Sequence, residues 1–178
     1  MKELFGPVEP VPAERLRAVS DGDRIELGGR DLDVLYTPGH ASHHVAYLNE
    51  STGDAYVGDV AGVRIPPQDF TVAPTPPPDI DLEAWERSLK TVAEWRPQRL
   101  CLTHFGRVGD VDRQLERLRQ RLRTNAERAR PGDRERFLAE VEAEIEAEAD
   151  AGVAERLRQA ALPEQLWLGL ERYWRKRA

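Results

Sequence analysis

The spacing of the apolar residues changes once along this chain, near residue 108, and this change limits the folds that are open to it. Upstream, short apolar runs alternate with glycine- and aspartate-containing turns, a pattern typical of β-strands. Downstream, leucine, alanine and aromatic residues recur every three or four positions, which is typical of amphipathic helices. The sequence therefore predicts an α/β part over residues 1–108 and an all-helical extension over residues 109–178.

Five strands and one helix are predicted in the first part. The strands are predicted at residues 24–27, 32–36, 44–49, 55–58 and 99–103. The helix should begin near Asp81, whose carboxylate can cap the first turn, and should end before Pro97. Its apolar stripe should face the core and consists of Leu82, Trp85, Leu89 and Val92. Residues 64–80 are rich in proline, which lacks a backbone donor, so a loop is predicted there.

Four helices are predicted in the second part, each with one apolar stripe. The stripes begin at Leu115, Phe137, Leu157 and Leu166. Helix-breaking residues at Pro131-Gly132, Ala151-Gly152 and Pro163 should separate these helices. Acidic residues alternate over 140–150, as they would on a strand, but alanine and glutamate favour a helix.

The composition argues against several classes of protein. No apolar run approaches the roughly 20 residues that span a bilayer, and the first residues lack the features of a signal peptide, so a cytoplasmic protein is expected. Acidic residues outnumber basic ones by 32 to 26, and no basic stripe is present, which disfavours nucleic-acid binding. The single cysteine, Cys101, excludes an internal disulfide. It is expected to fill the buried core of a strand rather than to act as a nucleophile.

Histidine and aspartate side chains follow several of the predicted strands. The residues at these strand ends are His40, His43, His44, Asp59 and His104. Loops at strand ends present side chains from a rigid scaffold, and imidazole with carboxylate suits zinc and related divalent ions. Taken singly, each is more often an ordinary polar loop residue. His40, His43 and His44 could also share one face of a helix, although Pro38-Gly39 favours a turn.

Taken in order, three motifs resemble the later part of the metallo-β-lactamase superfamily. The motifs are Thr37-Pro-Gly-His40, Gly58-Asp59 and Leu102-Thr-His104-Phe-Gly106. The resemblance spans about residues 24–106. It implies that His40 binds a first metal, that Asp59 bridges two metals and that His104 binds the second. Catalytic residues other than these metal ligands stay unassigned.

The leading motif of that family, His-x-His-x-Asp-His, is absent from this chain. The family fold is a four-layer αββα sandwich of two halves, so the resemblance implies the second half only, followed by a helical extension. His43 and His44 stand where the family often has a Gly-Ser pair. They could line the substrate pocket, brace a ligand, replace a missing ligand or be ordinary polar loop residues.

The resemblance implies a metal-dependent hydrolase acting on an ester, thioester, amide or phosphoester of a small molecule, with zinc or another divalent metal. Because half of the family's ligands are missing, we expect a truncated form with weak metal binding and little or no hydrolysis by this chain alone. A single zinc could use all three residues only if their loops converge. The alternative is a non-catalytic binding or assembly module with vestigial ligands.

Two further expectations concern partners. A half-sandwich leaves one sheet face uncovered, so self-association or a complementing N-terminal half is expected. In glyoxalase II-like thioesterases of the family, a helical C-terminal region helps to bind the substrate. Four residues near the end of this chain could contact an anionic substrate or a partner, although a packed terminal helix explains them more simply. They are Arg172, Tyr173, Trp174 and Arg175.

Overall fold

A mixed six-stranded sheet forms the centre of the protein in the computed structural model, which describes residues 9–104 and 106–177. In spatial order, its strands are β1 (Arg24–Leu27), β2 (Arg30–Tyr36), β3 (Val45–Asn49), β4 (Asp54–Gly58), β7 (Arg99–Leu102) and β8 (Gly106–Val108). Two short strands, β5 (Val63–Arg64) and β6 (Thr71–Val72), pair separately in an antiparallel ribbon.

The connection between β4 and β7 decides which loops lie together. Strands β1 to β4 pair antiparallel in sequence, and so do β7 and β8, whereas β4 and β7 run parallel. Parallel neighbours need a long crossover, which here contains β5, β6 and helix α1 (Leu82–Glu94). Asp81 caps α1, because its carboxylate accepts a hydrogen bond from Ala84 N–H at 2.8 Å. The C-terminal ends of β4 and β7 therefore lie side by side.

Four more helices follow the sheet in the described residues. They are α2 (Val111–Ala129), α3 (Arg134–Glu148), α4 (Ala151–Ala160) and α5 (Pro163–Arg175). Aspartate side chains at 110, 133 and 150 cap the first three. Helix α2 packs on α1 and β6, and α5 packs on α2 and α3, so these helices share one apolar core with the sheet. No helix among the described residues combines the length and the apolar character needed to cross a bilayer.

One face of the sheet is covered by helix α1. The strand register places Leu48 beside Ala55 and Ala55 beside Leu100, so these side chains point to the same face. They are buried in one apolar cluster with Trp85 and Leu89 of α1.

The opposite face of the sheet carries large apolar side chains that are partly exposed. We term it the open face and define it by Leu27, Leu32, Tyr36, Tyr47, Tyr56 and Cys101. Leu27 is 55% exposed and Tyr56 is 40% exposed. Four of these side chains line a groove of about 440 Å³. A surface of this kind is typical of an interaction site.

The predicted α/β class with an all-helical C-terminal extension is confirmed, but some element boundaries were wrong. The predicted loop over 64–80 contains β6 and the end of β5, and β8 was not predicted. Strands of two or three residues are too short to show alternation. The predicted break at Ala151-Gly152 lies inside the first turn of α4, because Asp150 caps that helix.

Candidate metal centre

The turn that follows β2 is held against the start of α1. Gly39 has a φ of +140°, and a Cβ at this position would overlap the backbone of Trp85. Ser88 Oγ donates a hydrogen bond to Pro38 O at 2.6 Å, and Asp81 N–H donates to Gly39 O at 3.0 Å. Glycine at this position therefore allows the close approach that fixes the turn before His40.

Asp59 is positioned by the same helix and by a histidine. Its backbone N–H donates a hydrogen bond to His44 Nε2 at 3.2 Å. The preceding Gly58 has a φ of +52°, and a Cβ there would overlap the His44 ring. On the other side, Trp85 Nε1 donates to Val60 O at 2.8 Å. The Gly-Asp turn is therefore held from both sides.

His40, Asp59 and His104 come together although they are far apart in the sequence. His40 Nε2 lies 3.7 Å from Asp59 Oδ2, and His104 Nε2 lies 3.3 Å from Asp59 Oδ1. His104 lies in the turn after β7, the parallel neighbour of β4. The structure thus places one imidazole near each oxygen of a single carboxylate.

A hydrogen bond on the other side of the His40 ring determines which of its two nitrogens carries the proton. His40 Nδ1 lies 2.8 Å from Pro74 O, and a carbonyl oxygen can only accept. In the neutral ring Nδ1 therefore carries the proton, and the Nε2 lone pair points towards the carboxylate. Metal-binding histidines are usually oriented by such a backbone carbonyl.

The carboxylate of Asp59 also suits a cation. Among the described residues, Asp59 Oδ1 is a buried oxygen that accepts no hydrogen bond, and leaving such an atom unpaired is costly. Two ligands that each bind a tetrahedral zinc at about 2.0–2.1 Å are separated by about 3.3 Å. The two imidazole–carboxylate distances are close to that separation, so donor chemistry and spacing fit a divalent metal.

The number of donors is small. Residues 9–104 and 106–177 contain no group of three or more histidine, cysteine, aspartate or glutamate side chains that could together hold a metal ion as it stands. The arrangement is instead two imidazole–carboxylate pairs that share Asp59. Structural zinc sites use four protein ligands and catalytic sites use three, so this set is minimal.

His44 contacts the backbone of Asp59 and lies beside His40, with ring centroids 6.1 Å apart. Burial lowers its pKa to about 4, and the neighbouring His40 adds to this effect. Its Nε2 accepts from Asp59 N–H, and its Nδ1 lies 2.7 Å from Thr37 Oγ1. Both ring nitrogens are therefore engaged. His43, in contrast, is exposed.

Two cavities border His40 and Asp59. The first has a volume of about 250 Å³ and reaches His104. Its outer side is formed by residues around the α4–α5 turn, here called the α4–α5 wall and defined as Gln159–Leu162, Gln165 and Leu166. The second, of about 440 Å³, is lined by His43, His44, Asp79 and the proline run at 76–78.

The four candidate contact residues near the C-terminus make contacts within the protein. Tyr173 Oη donates to Glu83 at 2.7 Å, Trp174 Nε1 donates to the carbonyl of Ala126 at 2.8 Å, and Arg172 Nε donates to the carbonyl of residue 78 at 3.1 Å. Arg175 lies 3.6 Å from the Glu171 carboxylate on the same helix. None of the four lines either cavity.

A family model for the metallo-beta-lactamase superfamily matches residues 2–104. The chain belongs to the metallo-beta-lactamase superfamily. A metallo-beta-lactamase fold-containing protein of Sulfurisphaera tokodaii is 33% identical over 106 residues, which are 59% of this chain and 39% of that protein. A hydroxyacylglutathione hydrolase of Aeromonas hydrophila is 39% identical over 57 residues, which are 32% of this chain and 22% of that enzyme.

Solved structures of the superfamily share the fold. The crystal structure of an archaeal superfamily protein from Sulfolobus tokodaii matches with a TM-score of 0.65 and 26% identity, covering 95% of this chain and 57% of that one. A family protein from Thermus thermophilus matches with a TM-score of 0.57 and 23% identity, covering 96% and 50%. The matched regions cover between about one fifth and three fifths of the length of these four relatives.

Several residues that hold the candidate metal ligands in place were not identified from the sequence. Trp85 was assigned only to the core, and Ser88 was overlooked. The carbonyl of Pro74 lies in a segment that was predicted only as a loop. Leu162 and Gln165 of the α4–α5 wall were also missed. A buried tryptophan needs a partner for its indole N–H, which was the one signal available for Trp85.

Proposed function

We propose that this superfamily member is a metal-dependent hydrolase whose metal is held by His40, Asp59 and His104. The observation that supports this most directly is the Asp59 carboxylate, which has one imidazole nitrogen near each of its oxygens. A bound divalent ion such as zinc would supply Lewis acidity and would lower the pKa of a bound water to about 7. The chemistry would suit an ester, thioester, amide or phosphoester.

The residues around these three would orient them before any metal arrives. The carbonyl of Pro74 holds the His40 ring with Nε2 towards Asp59, while His44 holds the backbone of Asp59. Such outer contacts raise metal affinity by fixing the ligands in place. Residues 1–108 would thus be the metal-bearing part of the chain, and residues 109–178 a helical extension that shapes one cavity.

The proposal includes a complementing segment, because the three residues form two imidazole–carboxylate pairs that share Asp59. Among the described residues, no group of three or more such side chains can hold one metal ion as it stands. The open face presents an apolar groove of about 440 Å³, and the family fold places a second sheet against such a face. A segment of that kind would bury the open face and bring further metal ligands. We therefore expect weak metal binding and little or no hydrolysis by this chain alone.

Cobalt titration tests the ligand assignment. We expect Co²⁺ to bind weakly, with visible absorbance bands, and Asp59→Asn or His40→Gln to weaken binding about tenfold or more. His43→Gln is the matched control, since His43 is on the same loop and exposed, and it should leave the affinity unchanged. Equal affinities in all four proteins would refute the assignment, and tight stoichiometric uptake would refute the expected weakness.

The second candidate function is a binding or assembly module without catalysis, which the open face favours. In that case the chain would bind its partner with equal affinity whether or not Asp59 is replaced. A complex that gains esterase or thioesterase activity, lost in Asp59→Asn, would decide for the hydrolase.

A further inference from the structure

The α4–α5 wall faces His40, Asp59 and His104 across the cavity of about 250 Å³. This volume is just below the usual range of ligand pockets, about 300–1,000 Å³, so the cavity suits one group of a substrate rather than a whole molecule. The wall belongs to the helical extension. Among residues 109–177, only those of the wall line either cavity at the candidate metal centre.

The wall is tied to the segment that orients His40. Thr75 Oγ1 donates a hydrogen bond to Leu166 O at 3.0 Å, and the carbonyl of the preceding Pro74 contacts His40 Nδ1. At Gly169 a Cβ would overlap the carbonyl of Thr75, so helix α5 lies directly on this segment. The wall therefore has a defined position relative to the candidate metal ligands.

The chemistry of the wall is apolar and uncharged. Leu162 is 53% exposed although it lines the cavity, whereas Leu166 is buried below it. Gln159 and Gln165 add carboxamides, and the described residues that line this cavity include no lysine or arginine. An anionic group against this wall would lose water without gaining a cationic partner.

We propose that the α4–α5 wall binds an uncharged apolar acyl or aryl group of the substrate and disfavours an anionic one. This inference rests on the proposed function, since it assigns one side of the same site. Leu162 is the main apolar contact, and Gln165 can donate a hydrogen bond to a neutral carbonyl. The wall thus selects substrates by charge as well as by shape.

The test uses two matched probes, 4-phenylbutyramide and 4-phenylbutyrate, with metal-free protein carrying ¹³C-labelled leucine methyl groups. We expect the amide to shift the Leu162 and Leu166 resonances and to saturate, and the carboxylate to bind about tenfold more weakly, which corresponds to about 1.4 kcal/mol. Leu162→Gln should abolish binding of the amide. Equal binding of both probes, or unchanged binding in Leu162→Gln, would overturn the proposal.

Two further variants sharpen the result. Leu168→Gln is the matched control, because Leu168 of α5 is an exposed leucine, as Leu162 is, but does not line the cavity. Gln165→Lys should reverse the preference in favour of the carboxylate, and an unchanged preference would count against the proposal. The probe experiment uses metal-free protein, so its outcome does not depend on metal binding. If the probes fail to bind as expected while Co²⁺ binds through His40 and Asp59, only the assignment of the wall is rejected. If the probes bind as expected but Co²⁺ binding does not depend on His40 and Asp59, only the proposed function is rejected.

Discussion

His44 illustrates at the residue scale how a side chain can serve a site without entering it. Its two ring nitrogens connect Asp59 N–H to the Thr37 hydroxyl. Because burial keeps the pKa of this ring at about 4, the ring is neutral at neutral pH and Nε2 can accept. The sequence left four roles open for His44. Two strands separate His44 from Asp59 along the chain, so no local sequence pattern indicates their contact.

Replacing His44 should destabilise the protein. In His44→Ala the Asp59 N–H loses its acceptor and a partly buried ring is removed, so we expect a loss of about 2 kcal/mol in the free energy of unfolding. Urea denaturation would measure it. His43→Ala is the control and should change stability by less than about 0.5 kcal/mol, because His43 is exposed. Similar losses in both variants would contradict this interpretation.

Asp54 predicts a pH dependence of stability. It is buried, and Arg99 Nε donates to its carboxylate at 2.6 Å. This hydrogen bond holds the pKa of Asp54 below its ordinary value. The stabilisation is therefore complete above the unfolded-state pKa of about 3.9 and is lost as the pH falls through the lower folded-state pKa.

The measurement compares wild type with Asp54→Asn by urea unfolding from about pH 7 to about pH 3. We expect wild type to be more stable by a constant difference above about pH 5, and this difference to shrink as the acid protonates Asp54. Asp31→Asn, at an exposed position of β2, should show no such trend. A difference that stays constant to the lowest pH would disprove the role of the Arg99 contact.

At the scale of elements, helix α1 is the part that organises the candidate metal centre. Its first turns contact the turn after β2 through Ser88 and the loop after β4 through Trp85. The Trp85 ring also packs edge-on against His40, with centroids 5.6 Å apart. The start and the apolar stripe of this helix were predicted from sequence, because a cap and a 3.6-residue period are local signals.

A pair of glycine substitutions tests the packing between α1 and the turn after β2. Gly39 and Gly29 both have positive φ values, so alanine is strained at either position. An alanine at 29 meets no atom within 4 Å, whereas at 39 it would overlap Trp85. We expect Gly29→Ala to cost about 1 kcal/mol and Gly39→Ala to cost about 3 kcal/mol or more.

Thermal and urea unfolding of the two variants give the comparison. Gly39→Ala should also weaken cobalt binding, since the turn carries His40, and Gly29→Ala should leave it unchanged. Equal destabilisation by the two substitutions would mean that the helix can move away from the turn at little cost.

For the whole molecule, the main feature is the difference between the two faces of the sheet. Helices cover one face, and the other face carries exposed apolar side chains. Cys101 shows the difference. Sequence reasoning placed it in a buried strand core, but it is only partly buried, because its side chain points to the open face. A four-residue strand shows which residues share a face, but not which of its two faces another layer covers.

The single cysteine reports whether the open face becomes covered. A maleimide should label Cys101 in the isolated chain, and the N-terminal half of a superfamily relative carrying His-x-His-x-Asp-His should slow labelling about tenfold if it binds there. Cobalt affinity should rise in the same mixture. Unchanged labelling and affinity would contradict a complementing half, and a dimer of the chain alone by light scattering would indicate a second copy instead.

The sequence by itself determined the order of the longer elements, the cap of α1 and the chemistry at the strand ends. These properties follow from neighbouring residues, as with Asp81 before α1 and Gly39 before His40. It also indicated the family through the order of three short motifs, and the match over residues 2–104 confirms that membership.

The tertiary structure alone decided which other residues those side chains contact. The approach of His40 and His104 to Asp59 depends on β4 and β7 running parallel and on α1 packing over the turn after β2. The α4–α5 wall reaches the same place because α5 lies on Thr75, ninety-one residues before its partner Leu166. Contacts over such separations arise from packing of the whole chain, and no local pattern encodes them.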